Sequence, residues 1–386
     1  MKFVIVGPTH PFRGGIAQYT TYLHLYICKR YPSFLVSLSR QYPSLFFPGR
    51  SQLDPSKSPL SAPPDYRMDS LNPLSWIRAA RRIRSFHPDI VLFQWWHPFL
   101  SPAYTSILRY LKGQPNTSTV FICHNVLPHE PMGLAAGDWL AQGLTRMAFR
   151  NSDAFLVHAK SLCDQVRDFN ERAPIGRAFH PSYNFDSVSR SAASDRSIRH
   201  NSNCLLFFGN IRKYKGLETL LRALPLVAKK IPIRLLVAGE FYVDPQPFRR
   251  LANELDVQDL IVWYDRYIPN EEVADLFRQA DLVVLPYSAA TQSGVVPLAY
   301  SFGVPVLTTD VGGLAEVVLN EKTGYVVPPG DPDLVAQRIV SYFETDLQED
   351  FRANVQRFRE SLSWQQVLDT ILALPGVVGS SQAELT

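Results

Sequence analysis

Several short stretches of this chain hold residue types that could bind an anion or a polar ligand. Residues 7–15 (GPTHPFRGG) end in Gly14-Gly15 just before an amphipathic segment. Bare backbone amides and a helix dipole would meet negative charge there. The stretch is not G-x-G-x-x-G, and no acidic residue closes the apolar run 34–38, so a nicotinamide dinucleotide site loses ground. Glycines needed only for a tight turn explain the pair equally well. Residues 207–218 (FFGNIRKYKGLE) set Arg212, Lys213 and Lys215 beside Gly216, a cation set that suits a diphosphate better than it suits a plain solvated turn. Residues 287–303 (YSAATQSGVVPLAYSFG) lead from small residues into a helix starting near Ser293-Gly294. The amides of Gln292, Ser293, Gly294 and Val295 would face a ligand, although an ordinary capped helix reads the same way. Residues 123–130 (CHNVLPHE) hold His124 and His129, but Pro128 breaks helical ligand spacing and no third ligand is evident. A sugar- or phosphate-bonding imidazole is favoured over a metal site. Residues 73–87 join an apolar face (Trp76, Ala79, Ala80, Ile83, Phe86) to Arg78, Arg81, Arg82 and Arg84. Such a helix could lie on an anionic membrane. Covering a sheet, with the arginines in water, is the commoner role and the favoured one.

These stretches sit in 386 residues that are 46% apolar, 12% aromatic and 19% charged, a globular composition rather than a disordered or fibrous one. At roughly 100–200 residues per domain, the length predicts two domains. The four cysteines, Cys28, Cys123, Cys163 and Cys204, form no C-x-x-C pair. Neither a disulfide framework nor a zinc ribbon is expected, and the chain reads as a reduced, cytoplasmic protein. Residues 1–7 read as a strand, not a secretory leader. No run of about 18 clean apolar residues is present to span a bilayer. The net charge of +4 divides unevenly, +9 in residues 1–188 and −5 in residues 189–386. A basic front half suggests an anionic partner: a phosphate-bearing substrate, a lipid headgroup or nucleic acid. The acidic back half and the lack of any recognisable module argue against nucleic acid.

The elements that would position the five stretches alternate along the chain. Near-continuous apolar runs fall at 2–6, 34–38, 89–95, 119–124 and 154–158, then at 205–208, 234–238, 261–264, 282–286, 304–308 and 324–327. Runs without polar alternation are buried on both faces, as in parallel sheets flanked by helices. Helical period appears between them, as in Ile16, Tyr19, Thr20, Leu23 and Ile27, or Leu217, Leu220, Leu221, Leu224 and Val227. Residues 187–203 (SVSRSAASDRSIRHNSN) are polar and aperiodic, and read as a linker. The expected architecture is α/β: two Rossmann-like βα domains, 1–186 and 204–360, joined by 187–203, with 361–386 as a terminal helix and tail. Residues 41–66, rich in Pro and Ser, read as a surface loop. Ligands of open parallel sheets sit beyond the carboxyl ends of the strands, where the glycine-rich and basic stretches fall.

Five further matches carry a family resemblance: GGIAQYT after the first strand, FGNIRKYKG, ADLVVLPYS, GVPVLTTDVGGLAEVV and TGYVVPPGDPDLVAQRI. In this order they resemble the family 4 retaining glycosyltransferases of the GT-B fold (glycosyl transferases group 1). The final SLSWQQVLDTIL resembles the helix that, in this fold, crosses back to the first domain. The resemblance implies two domains facing across a cleft, an acceptor on the first and a nucleotide sugar on the second. It implies that Gly14 and Gly15 lie near the donor phosphates, that His124 hydrogen-bonds the transferred sugar and that Lys215 neutralises the departing diphosphate. Asn210, Gln292, Ser293, Gly294 and Val295 would contact the donor. Asn210 stands where the family has an arginine, and Arg212 two positions on could supply that charge. The family's paired glutamates fall at Ala290 and Leu298, which marks a subgroup lacking them and leaves sugar recognition to Gln292.

The expected function is transfer of a sugar from a nucleotide-diphosphate donor to a glycan or lipid-linked acceptor with retention, in cell-surface polysaccharide or glycolipid synthesis. His124, Arg212 and Lys215 are the expected catalytic residues. No metal or cofactor is expected. Retention without a carboxylate nucleophile favours front-face attack, with the leaving phosphate taking the acceptor's proton. The aromatic stretch 94–99 (QWWHPF) is a candidate acceptor surface, and the expected setting is the cytoplasm, extending to the inner face of an anionic membrane. Two alternatives stand beside this: a non-catalytic nucleotide-sugar-binding protein, for which Ala290 and Leu298 speak, and a nucleotide-sugar epimerase, which would need carboxylates such as Glu130 and Glu240.

Overall fold

The structure, a computed structural model, describes residues 1–41, 49–57, 59–114, 116–127, 135–183, 203–345 and 347–377. The chain divides into two units: Met1–Asp54, Leu60–Phe179 and Trp364–Thr386 in the first, Pro55–Pro59 and His180–Ser363 in the second. Of the expected linker 187–203, only Asn203 lies within the described residues, where it opens a strand.

In unit 1 the strands are β1 (Phe3–Val6), β2 (Ser33–Arg40), β3 (Tyr66–Asp69), β4 (Ile90–Trp95), β5 (Ser118–Cys123), β6 (Ala154–Val157) and β7 (Ile175–Arg177). They form one parallel sheet in the order β3-β2-β1-β4-β5-β6-β7. The helices are α1 (Gly15–Ile27), α2 (Pro73–Phe86), α3 (Ser101–Leu111), α4 (Ala135–Phe149) and α5 (Lys160–Arg167). Because βα crossovers cover both faces, β1 (FVIV) and β4 (IVLFQW) are buried throughout. One face packs on Ala79, Ala80 and Ile83 of α2 with Tyr104 and Ile107 of α3. The other packs on Tyr19, Leu23 and Ile27 of α1 and on Val367, Leu368 and Ile371 near the chain's end.

In unit 2 the strands are β8 (Asn203–Phe208), β9 (Ile233–Ala238), β10 (Ile261–Tyr264), β11 (Leu282–Leu285), β12 (Val306–Thr309) and β13 (Gly324–Val327). They too are parallel, in the order β10-β9-β8-β11-β12-β13. The helices are α6 (Leu217–Ala228), α7 (Gln246–Glu254), α8 (Asn270–Gln279), α9 (Val295–Ser301), α10 (Leu314–Val317), α11 (Pro332–Glu344) and α12 (Gln348–Arg359). The last helix, α13 (Trp364–Leu372), belongs to unit 1, where Trp364 meets Tyr19 with ring centroids 5.0 Å apart. The α/β class read from the apolar runs is the class observed.

Two expectations need correction. The stretch 94–99 is not an aromatic acceptor surface: Trp95 is fully buried and Trp96 4% exposed. The Trp95 indole N–H donates to the Val126 carbonyl at 3.2 Å, and its ring meets Phe121 and Phe149 edge-on. The cause is the position of β4, which lies between β1 and β5 with both faces covered. Trp76, by contrast, bears out the favoured sheet-covering reading of α2: it packs on the core and donates to the Asp69 carbonyl at 2.8 Å. The region 41–66 is also more than a surface loop. Residues 55–59 join unit 2, where the Asn270 N–H donates to Ser56 Oγ at 2.9 Å and the Lys57 N–H to Glu271 Oε1 at 3.1 Å, and Tyr66 opens β3.

His158, just past β6, shows how fully this interior is dried. Its Nδ1–H donates to the Ala178 carbonyl at 2.9 Å and its ring packs on Tyr19, and burial pushes its pKa down to about 4. Between pH 6.5 and about 4 the unfolded chain therefore binds a proton that the folded one refuses, so stability falls as the pH falls through this window. The full loss is about 3 kcal/mol below both values. Denaturation midpoints followed from pH 7.5 to 4.5 should drop less steeply in His158→Asn than in the wild type; parallel curves would contradict a neutral His158.

Candidate functional site

In each sheet the strand order reverses once, at β1/β4 in unit 1 and at β8/β11 in unit 2. In unit 2 the chain leaves β8 through Gly209 and Asn210, forms a 3-10 turn over Lys213–Lys215 and enters α6 at Gly216. Gly216 has φ +70°, and a Cβ there would stand 1.8 Å from the Pro286 carbonyl oxygen just beyond β11. Only glycine lets the two strand exits meet. The Ser288 N–H donates to the Tyr214 carbonyl at 2.7 Å across the same junction.

This contact lays Lys215 over the point of reversal. A Cβ placed on Gly209 would lie 3.1 Å from Lys215 Nζ and 3.6 Å from Val295 Cγ2, and Nζ stands 5.3 Å from the Tyr287 ring centre. Among the described residues Lys215 makes no ion pair. Burial pushes its pKa below the ordinary lysine value, with Tyr214 opposing and Arg212 adding to the shift. Arg212 is half-buried, its guanidinium 4.9 Å over the Tyr242 ring, while Lys213 is exposed to water. The three cations therefore split into an inward pair and an outward one.

On the other side of the junction, α9 begins at Val295 and runs for only seven residues. The Val295 N–H donates to Ser293 Oγ at 3.2 Å, so this amide is already engaged, contrary to the expectation that it faces a ligand. Gln292, Ser293, Gly294 and Val295 are all half-buried. Tyr287, beneath them, has its hydroxyl pushed up to about 12 by burial and stays a neutral group. Ala290 and Leu298 supply no carboxylate, and Leu298 is buried in α9.

Sequence reasoning missed His180 and Tyr183. The His180 Nε2 and the Tyr183 hydroxyl would each stand 3.9 Å from a Cβ on Gly294, and lie 3.4 Å from one another. The His180 Nδ1 faces the Pro181 carbonyl at 3.1 Å, so Nδ1 carries the proton and Nε2 accepts from the tyrosine O–H. The polar run HPSY (180–183) was the signal available. Glu240, offered for epimerase chemistry, is buried just past β9, and Glu130 and His129 lie outside the described residues.

In unit 1, Gly14 and Gly15 open α1, and a Cβ on either would meet nothing within 4 Å. Neither glycine is thus required by a close neighbour of its Cβ position. His124 follows β5 and is buried. Its N–H donates to the Trp95 carbonyl at 2.8 Å, its Nε2 lies 2.7 Å from Gln94 Oε1, and Tyr19 meets its ring edge-on at 4.8 Å. Among the described residues no cluster of three or more His, Cys, Asp or Glu is placed to hold a metal. The sequence-predicted residues thus gather at strand ends in two sets: Gly14, Gly15 and His124 in unit 1, and Asn210, Arg212, Lys215 and Gln292 to Val295 in unit 2.

The Glycosyltransferase Family 4 model matches residues 13–176, and that of the Glycosyl transferases group 1 matches residues 202–345. D-inositol 3-phosphate glycosyltransferase 1 of Catenulispora acidiphila is 30% identical over 238 residues, 58% of this chain and 57% of that protein. The D-inositol 3-phosphate glycosyltransferase of Streptomyces scabiei is 30% identical over 232 residues, 56% of this chain and 52% of that protein. The chain spans about half the length of these curated relatives. Among solved structures, sucrose-phosphate synthase of Thermosynechococcus elongatus superposes with a TM-score of 0.68 at 17% identity, covering 100% of this chain and 98% of that one. Anabaena HepE in complex with UDP-glucose gives 0.71 at 13% identity, with 99% and 100% covered. At such identities the likeness shows the fold, that of the GT-B glycosyltransferases. With one model matching each half, in order, and the fold shared from end to end, the chain belongs to the family 4, group 1 glycosyltransferases.

Proposed function

We propose that this chain moves a sugar from a nucleotide-diphosphate donor to a glycan or lipid-linked acceptor with retention of configuration, in cell-surface polysaccharide or glycolipid synthesis. The observation that carries the reading is Lys215, a desolvated ammonium without an ion pair among the described residues, laid over the strand reversal of unit 2. A half-buried, desolvated cation without an ion pair among the described residues is costly alone and is compensated when a diphosphate arrives. The HepE structure, with UDP-glucose bound, supports the donor class.

In the front-face mechanism the acceptor oxygen bonds to the anomeric carbon as the carbon–phosphate oxygen bond breaks on the same side. The acceptor's hydroxyl proton passes to the leaving phosphate oxygen. Negative charge grows on the diphosphate, and Lys215 and Arg212 oppose it from a low-dielectric site, where such stabilisation is strongest. In unit 1, His124 hydrogen-bonds the transferred sugar, and the amides at Gly14 and Gly15 sit near the donor phosphates. Asn210, Gln292, Ser293 and Gly294 contribute donor contacts, Gln292 reading sugar hydroxyls in place of the missing glutamates. No metal or cofactor is assigned a part. A non-catalytic sugar-nucleotide binder is the second reading, favoured by Ala290 and Leu298.

Exposed apolar residues on two helices of unit 1, beside arginines on α2, suit contact with an anionic membrane. Leu74 (63% exposed) and Ile77 (40%) open α2 beside Arg78 and Arg81, and Trp139 (76%) with Leu140 opens α4. The α2 tryptophan is turned inward, as the favoured sheet-covering reading expects, so the contact rests on these other residues. Among the described residues no helix is long and apolar enough to cross a membrane.

Melting curves with UDP-, GDP-, ADP- and dTDP-sugars should single out one nucleotide, since a ligand at 100 times its Kd adds about 2.7 kcal/mol; no shift with any would overturn the donor reading. With that donor, Lys215→Ala should lower kcat about 100-fold, the scale of losing one charge-stabilising group. Unchanged turnover would remove Lys215 from the mechanism, and donor binding with neither transfer nor hydrolysis in the wild type would favour the non-catalytic reading. Vesicles containing phosphatidylglycerol should co-sediment the chain at low salt, and Leu74→Asp with Trp139→Ala should weaken this; no binding by the wild type would end the membrane proposal.

A further inference from the structure

Gln94 interrupts the apolar run of β4 at the point where the first sheet reverses. It is fully buried, where an amide group left without a hydrogen bond costs about 1–3 kcal/mol. One end is bonded, Oε1 lying 2.7 Å from His124 Nε2; the other, Nε2, has no partner. The fold also makes room for it. A Cβ on Gly7, just past β1, would stand 2.5 Å from Gln94 Cγ, so any larger residue there would push the amide aside. A strand that needed only to fill the core would place leucine in this space, at no polar cost. Keeping a half-satisfied amide, and a glycine to admit it, points to the one bond it makes.

We infer that Gln94 is a positioning residue that fixes the ring orientation and tautomer of His124, and that Gly7 is retained to admit it. The Gln94 carbonyl oxygen accepts the His124 Nε2–H and so holds a hydrogen on Nε2. The same strand holds the backbone, through the His124 N–H to the Trp95 carbonyl at 2.8 Å. Ring and main chain are thus both referenced to β4. Two titratable rings meet it, Tyr19 from α1 and His158 past β6, and His158 is neutral at pH 7.5. The effect on turnover rests on the proposed contact of His124 with the sugar; the tautomer does not.

The test is long-range proton–nitrogen NMR on the full chain labelled at histidine, at pH 7.5, with kinetics on the same samples. The wild type should show His124 with its proton on Nε2. Gln94→Leu should release it to a mixture of tautomers and lower kcat about tenfold, the scale of removing an outer partner of a working histidine, with donor KM nearly unchanged. Gly7→Ala, which leaves Gln94 in place but displaces it, should shift the spectrum the same way. Gln94→Glu, which still offers an acceptor to Nε2–H, should keep the wild-type tautomer. A proton on Nδ1 in the wild type, or a His124 spectrum unmoved by Gln94→Leu and Gly7→Ala, overturns the inference. Changed tautomers in a chain that transfers no sugar uphold the positioning role and overturn the transferase reading instead.

Discussion

Where a parallel sheet reverses its strand order, the crossover connections leave in opposite directions and the strand ends between them stay uncovered. That geometric constraint organises both units. It forces main chains to pass closer than side chains allow, as at Gly216 against Pro286, and it leaves an opening that polar groups from neighbouring strands can line. Lys215 in unit 2, and Gln94 beneath His124 in unit 1, lie at or beside these reversals. Elsewhere the central strands are mostly apolar, because both faces are sealed by helices. The candidate site residues fall where topology prevents the seal.

The consequence is electrostatic as much as steric. Residues 189–386 are net negative, yet the reversal point of unit 2 holds a desolvated lysine with Arg212 nearby. Bulk charge and local charge have opposite signs because they answer to different demands. A solvated acidic surface costs little and keeps a chain soluble, whereas a cation at a closed strand end costs desolvation energy whenever the site is empty. Only the second kind of charge reports on a ligand.

Much of this architecture was legible in the sequence, and the exceptions have physical causes. Strands buried on both faces announce themselves as unbroken apolar runs, so the central strands of both sheets were placed within a residue or two. The edge strands β3 and β7 were not, since YRMD and IGR are short, polar and exposed on one side. The stretch QWWHPF misled because two adjacent tryptophans read as a binding surface, whereas the continuation of IVLFQW past the strand's end kept both rings inside. His180 and Tyr183 were illegible for another reason. Their significance comes from lying beside Gly294, more than a hundred residues away in the chain, and no local pattern encodes such a contact.

The missing glutamates look different once those neighbours are known. A loop carrying Ala290, Gln292 and Ser293, next to a neutral Tyr287 and a hydrogen-bonded His180–Tyr183 pair, brings no carboxylate to the strand ends. Amide, hydroxyl and imidazole groups both give and take hydrogen bonds, so sugar hydroxyls can be read without fixed negative charge. Carboxylates close to Lys215 would also pair with it and weaken its hold on a phosphate. On the proposed reading, the absence of the pair removes one kind of donor contact and spares Lys215 a competing carboxylate. On the same reading, Ala290, Leu298 and a Lys215 that makes no ion pair among the described residues are electrostatically consistent with one another.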